Sequence, residues 1–159
     1  CTSEAQTAGE NCSAPTVIGI EPGQEQFWPP APPLYSTAAA AHDYQGASCG
    51  EDFGKDQVFA VTPTADGTLS ITVGENYQKQ PYCQNFTEPE CWDHPVYVRE
   101  GNCTSGQQLT CALTDFDTGV TVATVPVTGG TTYYVFVDGY INQPWAQGPY
   151  VMRLNHTPN

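Results

Sequence analysis

Apolar and polar residues alternate with a period of two through most of the chain's second half. In residues 67–73 (GTLSITV), Leu69, Ile71 and Val73 alternate with Thr68, Ser70 and Thr72, the pattern of a strand with one buried and one wet face. The same reading places strands at 16–20 (TVIGI), 56–63, 95–101, 107–113, 119–127, 131–140 and 149–156. In the last of these Tyr150, Met152 and Leu154 share one face. TADG at 64–67 reads as a turn, and VTGGTT at 127–132 as a hairpin-type connection. Within 119–127 the apolar phase moves from Val120 and Val122 to Ala123, Val125 and Val127, which predicts a β-bulge. Eight or so short strands separated by turns predict an all-β fold, a jelly-roll-like antiparallel β-sandwich.

One strand departs from the pattern. In TTYYVFVDGY (131–140), Tyr133, Val135 and Val137 point one way, and Tyr134 and Phe136 the other. In a two-layer sandwich only one face of a strand is internal, so this second apolar face needs a cover. The stretch QFWPPAPPLYSTAAAAHDY (26–44) is rich in Pro and Ala, and consecutive prolines favour extended geometry that cannot enter a central strand. The expected organisation is a flexible tether over 1–11, an extended N-terminal arm over 12–48, and a sandwich over 49–159. Phe27, Trp28, Leu34 and Tyr35 of the arm are the candidate cover for Tyr134 and Phe136. They would lie on their own domain or, by strand addition, on the next copy. Repeated head to tail, that second contact gives a filament, a homopolymer.

Composition narrows the partners. The 159 residues suit one domain with a tail, and 17 acidic against 4 basic residues give a formal charge of −13. Nucleic acid and anionic membrane surfaces are repelled by such a chain. Seven cysteines point to an oxidising compartment and to disulfides as staples. No transmembrane stretch is visible. Cys1 opens a polar run, CTSEAQTAGE, in the manner of a processed bacterial lipoprotein. Lipidation or an interchain bond at Cys1 would account for the odd cysteine and leave six to pair. The expected location is extracellular or at the cell surface.

The order of pieces is similar to a known family. CGEDFGKDQVFAVTPTADGTLSITV, then VYVREGNCTSGQQLTC, then VPVTGGTTYYVFVDGY, then GPYVMRL resemble the bacterial pre-peptidase C-terminal (PPC-like) domain over roughly residues 49–155. The resemblance implies a secreted β-sandwich, usually a non-catalytic appendage of exported enzymes or a module of surface proteins. It brings no catalytic residue. The segment 74–95, with Cys83, Cys91 and several aromatics, reads as a loop inserted where that family has a short connection, and loops on a rigid sandwich are where binding resides. Locality together with the resemblance favours Cys103–Cys111 and Cys83–Cys91, leaving Cys12–Cys49 to pin the arm.

Catalytic and cofactor motifs are absent. There is no GxSxG, no HExxH and no phosphate-cradling glycine loop, so the chain reads as a non-enzyme. Cys91 stands three residues before His94, but paired cysteines cannot serve as ligands. Asp115-Phe-Asp117-Thr-Gly119 has the rhythm of an oxygen-ligand loop, and Glu51, Asp52 and Asp56 form a second acidic cluster. A structural Ca²⁺ is the one cofactor they suggest, although solvated turn acids have the same look. Trp28, Trp92 and Trp145, with Tyr77, Tyr82 and Tyr140, either stack on sugar rings or fill the core. Four of the seven asparagines, Asn11, Asn85, Asn102 and Asn155, head N-x-S/T sequons and are candidate glycan acceptors.

Two functions of different class follow. The first is a structural subunit of the cell surface or matrix that polymerises through its arm or contacts another surface protein. The second is a tethered carbohydrate- or protein-binding module using Tyr77, Tyr82, Trp92 and Trp145.

Overall fold

Ten strands and no helix make up the described residues. The computed structural model describes residues 8–44, 46, 49, 54–74, 92–115, 117–140 and 147–159. The strands are β1 (Thr16–Ile20), β2 (Glu25–Trp28), β3 (Tyr35–Ser36), β4 (Gln57–Pro63), β5 (Gly67–Gly74), β6 (Val96–Glu100), β7 (Gln107–Ala112), β8 (Thr121–Val127), β9 (Tyr133–Val137) and β10 (Pro149–Pro158). They form two sheets, β1-β4-β9-β6-β7 and β2-β10-β5-β8, with β3 added alongside β10. The pairings are antiparallel except that of β1 with β4. This is the expected β-sandwich.

Alternation translates directly into packing. Leu69, Ile71 and Val73 of β5, Tyr150, Met152 and Leu154 of β10, and Tyr133, Val135 and Val137 of β9 all enter one core between the sheets. A fully buried side chain of this kind stabilises the fold by roughly 1.5–3 kcal/mol. Strand β8 shows the same period from Thr121 to Val127 in an unbroken register with β5. The bulge expected there is absent. Thr121, not Val122, takes the inward position, because its hydroxyl is bonded to His94, and Val122 is left 52% exposed. A register shift occurs instead between Val98 and Arg99, where β6 pairs β7.

The connection VTGGTT is not a hairpin. Strand β8 belongs to one sheet and β9 to the other, so the segment crosses between layers, as does the 64–66 turn between β4 and β5. The two crossings pack on each other: Gly129 N–H donates to Asp66 Oδ1 at 2.9 Å, and Gly130 N–H to the Pro63 carbonyl. Gly130 lies at φ +82°, a conformation glycine adopts without strain.

The second apolar face of β9 is covered from within the chain. Phe136 stacks on Tyr97 at 4.5 Å and 10°, meets Tyr44 edge-on at 5.2 Å, and lies under the Arg99 guanidinium at 4.9 Å. Val58, Cys49 and Cys103 complete this cluster, with Cys12, Tyr44, Cys111 and Tyr134 at its margin. The covering strap is formed by Cys12, Tyr44, Gly46 and Cys49. It is held by Cys12–Cys103, with Cα atoms 5.7 Å apart, and Cys49–Cys111, at 5.3 Å. Each closes a long loop (separations of 91 and 62 residues), a stabilisation of about 4–5 kcal/mol in the chain-entropy model.

Three expectations are corrected here. Cys103 does not pair Cys111, nor Cys12 Cys49. Cys103 sits in the β6–β7 turn while Cys111 lies four residues along β7 beyond Gln107, a rise of roughly 13 Å, outside the reach of a disulfide. Cys83 and Cys91 lie outside the described residues. The cover is not Phe27, Trp28, Leu34 or Tyr35 either. Tyr35 is in the main core beside Phe59 and Tyr150, and Trp28 packs at that core's edge. Finally, the segment 12–48 is not simply an arm laid on a surface: it supplies β1 to one sheet and β2 and β3 to the other.

Candidate functional site

Two places concentrate chemistry. One is the end of the sandwich where β4, β6, β8 and β10 begin and β5, β7 and β9 finish. The pairing of Gln57 with Val137 and of Val96 with Val137 brings the flanking residues Asp56, Asp138, Pro95 and His94 together. Asp138 N–H donates to the Pro95 carbonyl, and Tyr140 N–H to that of Asp93.

Trp92 is fully buried here, with its indole N–H on the Pro149 carbonyl at 2.8 Å and its ring against His94 and Tyr150. It anchors the chain just before β6 and is not a sugar platform. Tyr77, Tyr82 and Trp145, three of the other aromatics proposed for that role, lie outside the described residues, as do Cys1 and Asn85, and Tyr140 is half-buried. His94 is also buried. Its Nδ1 lies 2.7 Å from the Thr121 hydroxyl, which itself donates to the His94 carbonyl at 2.9 Å. The Thr114 hydroxyl stands 3.0 Å from that of Thr121, so the polar atoms around the Thr121–His94 pair are partnered within the fold. This pair is a structural clamp rather than a base and nucleophile. Burial pushes the Asp93 carboxyl up, against a hydrogen bond from Thr114.

Asp56 is more exposed to conflict. Its Oδ2 accepts N–H bonds from Asp43 and Tyr44, both at 2.9 Å, and faces His42 Nδ1 at 3.6 Å. Its Oδ1 has no hydrogen-bond partner, and the residue is wholly buried. Burial raises its pKa to about 6, partly offset by the two backbone bonds. His42, Asp56 and Asp138 each bring one ligand atom to within 4.8 Å of the others. Of the acidic residues singled out in sequence, only Asp56 joins this group. Glu51 and Asp52 lie outside the described residues. Asp115 and Asp117 are exposed, and Asp115 Oδ1 accepts the Asp117 N–H. Among the described residues no third ligand joins them.

The second place is the open edge of the sandwich, where the edge strands β1 and β2 face each other. Gly19, Gln26, Phe27, Trp28 and Pro30 line a shallow recess of about 330 Å³. Gln26 spans it, its amide N–H donating to the Gly19 carbonyl at 3.0 Å and its Oε1 accepting the Trp28 indole N–H at 3.0 Å. Phe27 and Trp28 are each half-buried, so ring surface faces solvent. Nearby on β1, Val17 is 73% exposed. Sequence reading had Trp28 among the sugar-stacking aromatics but missed its setting, because Gly19 joins Gln26 and Trp28 of β2 from the other sheet.

The sequons divide by exposure. Asn102 is exposed in the β6–β7 turn, where its Oδ1 accepts N–H bonds from Thr104 and Ser105. Asn11 and Asn155 are half-buried.

No helix among the described residues is long and apolar enough to cross a membrane. Two disulfides place the folded chain in an oxidising, exported setting.

No family model matches the chain, and no curated protein matches it. Among solved structures, the pre-peptidase C-terminal domain of a collagenase from Bacillus anthracis is similar at a TM-score of 0.45 and 12% identity, over 87% of this chain and 92% of that one. CBM35 from Cellvibrio japonicus Abf62 is similar at 0.37 and 11%, over 84% and 88%. A β-glucosidase from Paenibacillus barengoltzii is similar at 0.39 and 11%, over 94% of this chain but only 12% of that one. Likenesses this distant carry no argument about function, and the motif resemblance to PPC-like domains stays a resemblance. The β-sandwich itself stands on the two sheets.

Proposed function

We propose that this chain is an exported, non-catalytic binding module that takes carbohydrate at the recess between β1 and β2. The observation that carries this reading is the grouping of two half-buried aromatic residues with an amide fixed by three hydrogen bonds, to Gly19, Gln24 and Trp28. A sugar ring has an apolar face that stacks on an aromatic and a polar rim that an amide can read. The net charge of −13 favours neutral glycans over acidic ones. The polymerising-subunit reading loses its motive, since Phe136 is covered in cis and the arm residues are committed to their own sheets.

Affinity electrophoresis of the full chain in gels containing neutral polysaccharides tests the proposal. Retardation by at least one polysaccharide is expected, with its loss in Trp28→Ala. Free migration throughout a broad panel, or retardation that Trp28→Ala leaves intact, counts against it.

A further inference from the structure

The His42, Asp56 and Asp138 group lies far from the proposed glycan recess in its chemistry, and it poses a separate problem. Two wholly buried carboxylates stand with ligand atoms within 4.8 Å of each other. Asp138 Oδ1 accepts the Gly139 N–H at 2.7 Å. Asp56 Oδ1, buried and without a hydrogen-bond partner, is the kind of atom that a metal ion satisfies. Its other oxygen is already held by the backbone of Asp43 and Tyr44, so the carboxylate is fixed in orientation before any ion arrives.

We infer that His42, Asp56 and Asp138 form a binding site for a zinc-class divalent cation that fastens the strap to the end of the sandwich. An imidazole ligand suits Zn²⁺, Ni²⁺ or Cu²⁺, whereas Ca²⁺ and Mg²⁺ prefer sites built from oxygen alone. His42 Nδ1 lies 3.6 Å from Asp56 Oδ2, so the imidazole already faces this carboxylate. Three protein ligands leave the fourth position to water. The His42 side chain is 39% exposed, which gives the ion an entry path. The site joins elements remote in sequence: Asp56 immediately precedes β4, Asp138 follows β9, and His42 stands two residues before Tyr44 of the strap, which covers Phe136. Metal binding would therefore act with Cys49–Cys111 in holding that strap down.

The test uses the full chain with disulfides intact, accessible thiols alkylated, and metal removed by chelator. Titration with ZnCl₂ by calorimetry should show one equivalent bound and a rise in melting temperature. CaCl₂ should produce neither. Co²⁺ substitution should give the visible absorption of a tetrahedral nitrogen–oxygen site. His42→Ala removes a half-exposed side chain and should fold normally, with zinc affinity reduced by roughly 100-fold. Asp138→Asn should weaken binding as well. The inference is overturned if no saturable Zn²⁺ binding occurs, if His42→Ala binds as tightly as the parent, or if Ca²⁺ competes on equal terms.

Discussion

At one end of the sandwich main-chain groups are partners in most of the bonds; at the other, buried side chains meet one another. The turn end carries 64–66, 101–106 and 128–132, short connections most of whose bonds have a main-chain group on at least one side and whose tight spots are glycines. The loop end carries Trp92, Asp93, His94, Asp56, Asp138, Thr114 and Thr121, a set of buried polar and aromatic side chains. Buried polar groups must be satisfied in place or they destabilise the fold. The turn end therefore depends on conformation and close approach, whereas the loop end depends on particular side chains and, through Asp56, on pH. One disulfide serves each: Cys12–Cys103 near the β6–β7 turn and Cys49–Cys111 towards the loop end.

The largest expected effect lies at the loop end. Trp92→Ala removes a fully buried indole and strands the Pro149 carbonyl. A loss of about 3–5 kcal/mol is expected from urea unfolding under non-oxidising-exchange conditions with disulfides intact. A loss below about 1 kcal/mol would mean that the chain before β6 is not anchored as described.

The next effect concerns pH. Asp56 ionises at about 6 in the fold against an ordinary 3.8. Between those values the folded state holds the proton more tightly, so stability falls as pH rises through that window and stays low above it, by up to ~3 kcal/mol. Asp93 is shifted in the same direction. Measured in chelator, Asp56→Asn should flatten much of this dependence. An unchanged pH profile in that variant would break the contrast between the ends.

The smallest effect is placed at the turn end. An added Cβ at Gly129 would stand 2.7 Å from the Ala65 backbone, forcing the two crossings apart. Gly129→Ala should cost about 1–3 kcal/mol and show no pH dependence between 4 and 6 beyond that of the parent. Equal stability of the two proteins would show that these turns tolerate separation.

The same contrast explains what was legible in the sequence. Period-two alternation identified β1 and β4–β10 closely, since each rests on local side-chain direction. It missed β2 and β3, whose few ladder residues sit among prolines at a sheet edge, where missing donors are tolerated. It could not tell that VTGGTT crosses between sheets, because turn residues report conformation and not destination. Nor could it see the disulfide pairs, or the meeting of His42, Asp56 and Asp138, which depends on the register of Gln57 with Val137. Thr121 is the clearest case: a polar residue took an inward position because a buried histidine needed a partner, and the apolar period alone pointed to a bulge.

The proposed function is tested most directly by ¹H–¹⁵N spectra of the chain titrated with the oligosaccharide that retards it best. The account predicts saturable shifts at the Trp28 indole N–H, the Gln26 side-chain amide, Gly19 and Phe27, with Thr121, His94 and Gly139 unmoved. Shifts confined to the loop end, or none at the recess, would contradict it.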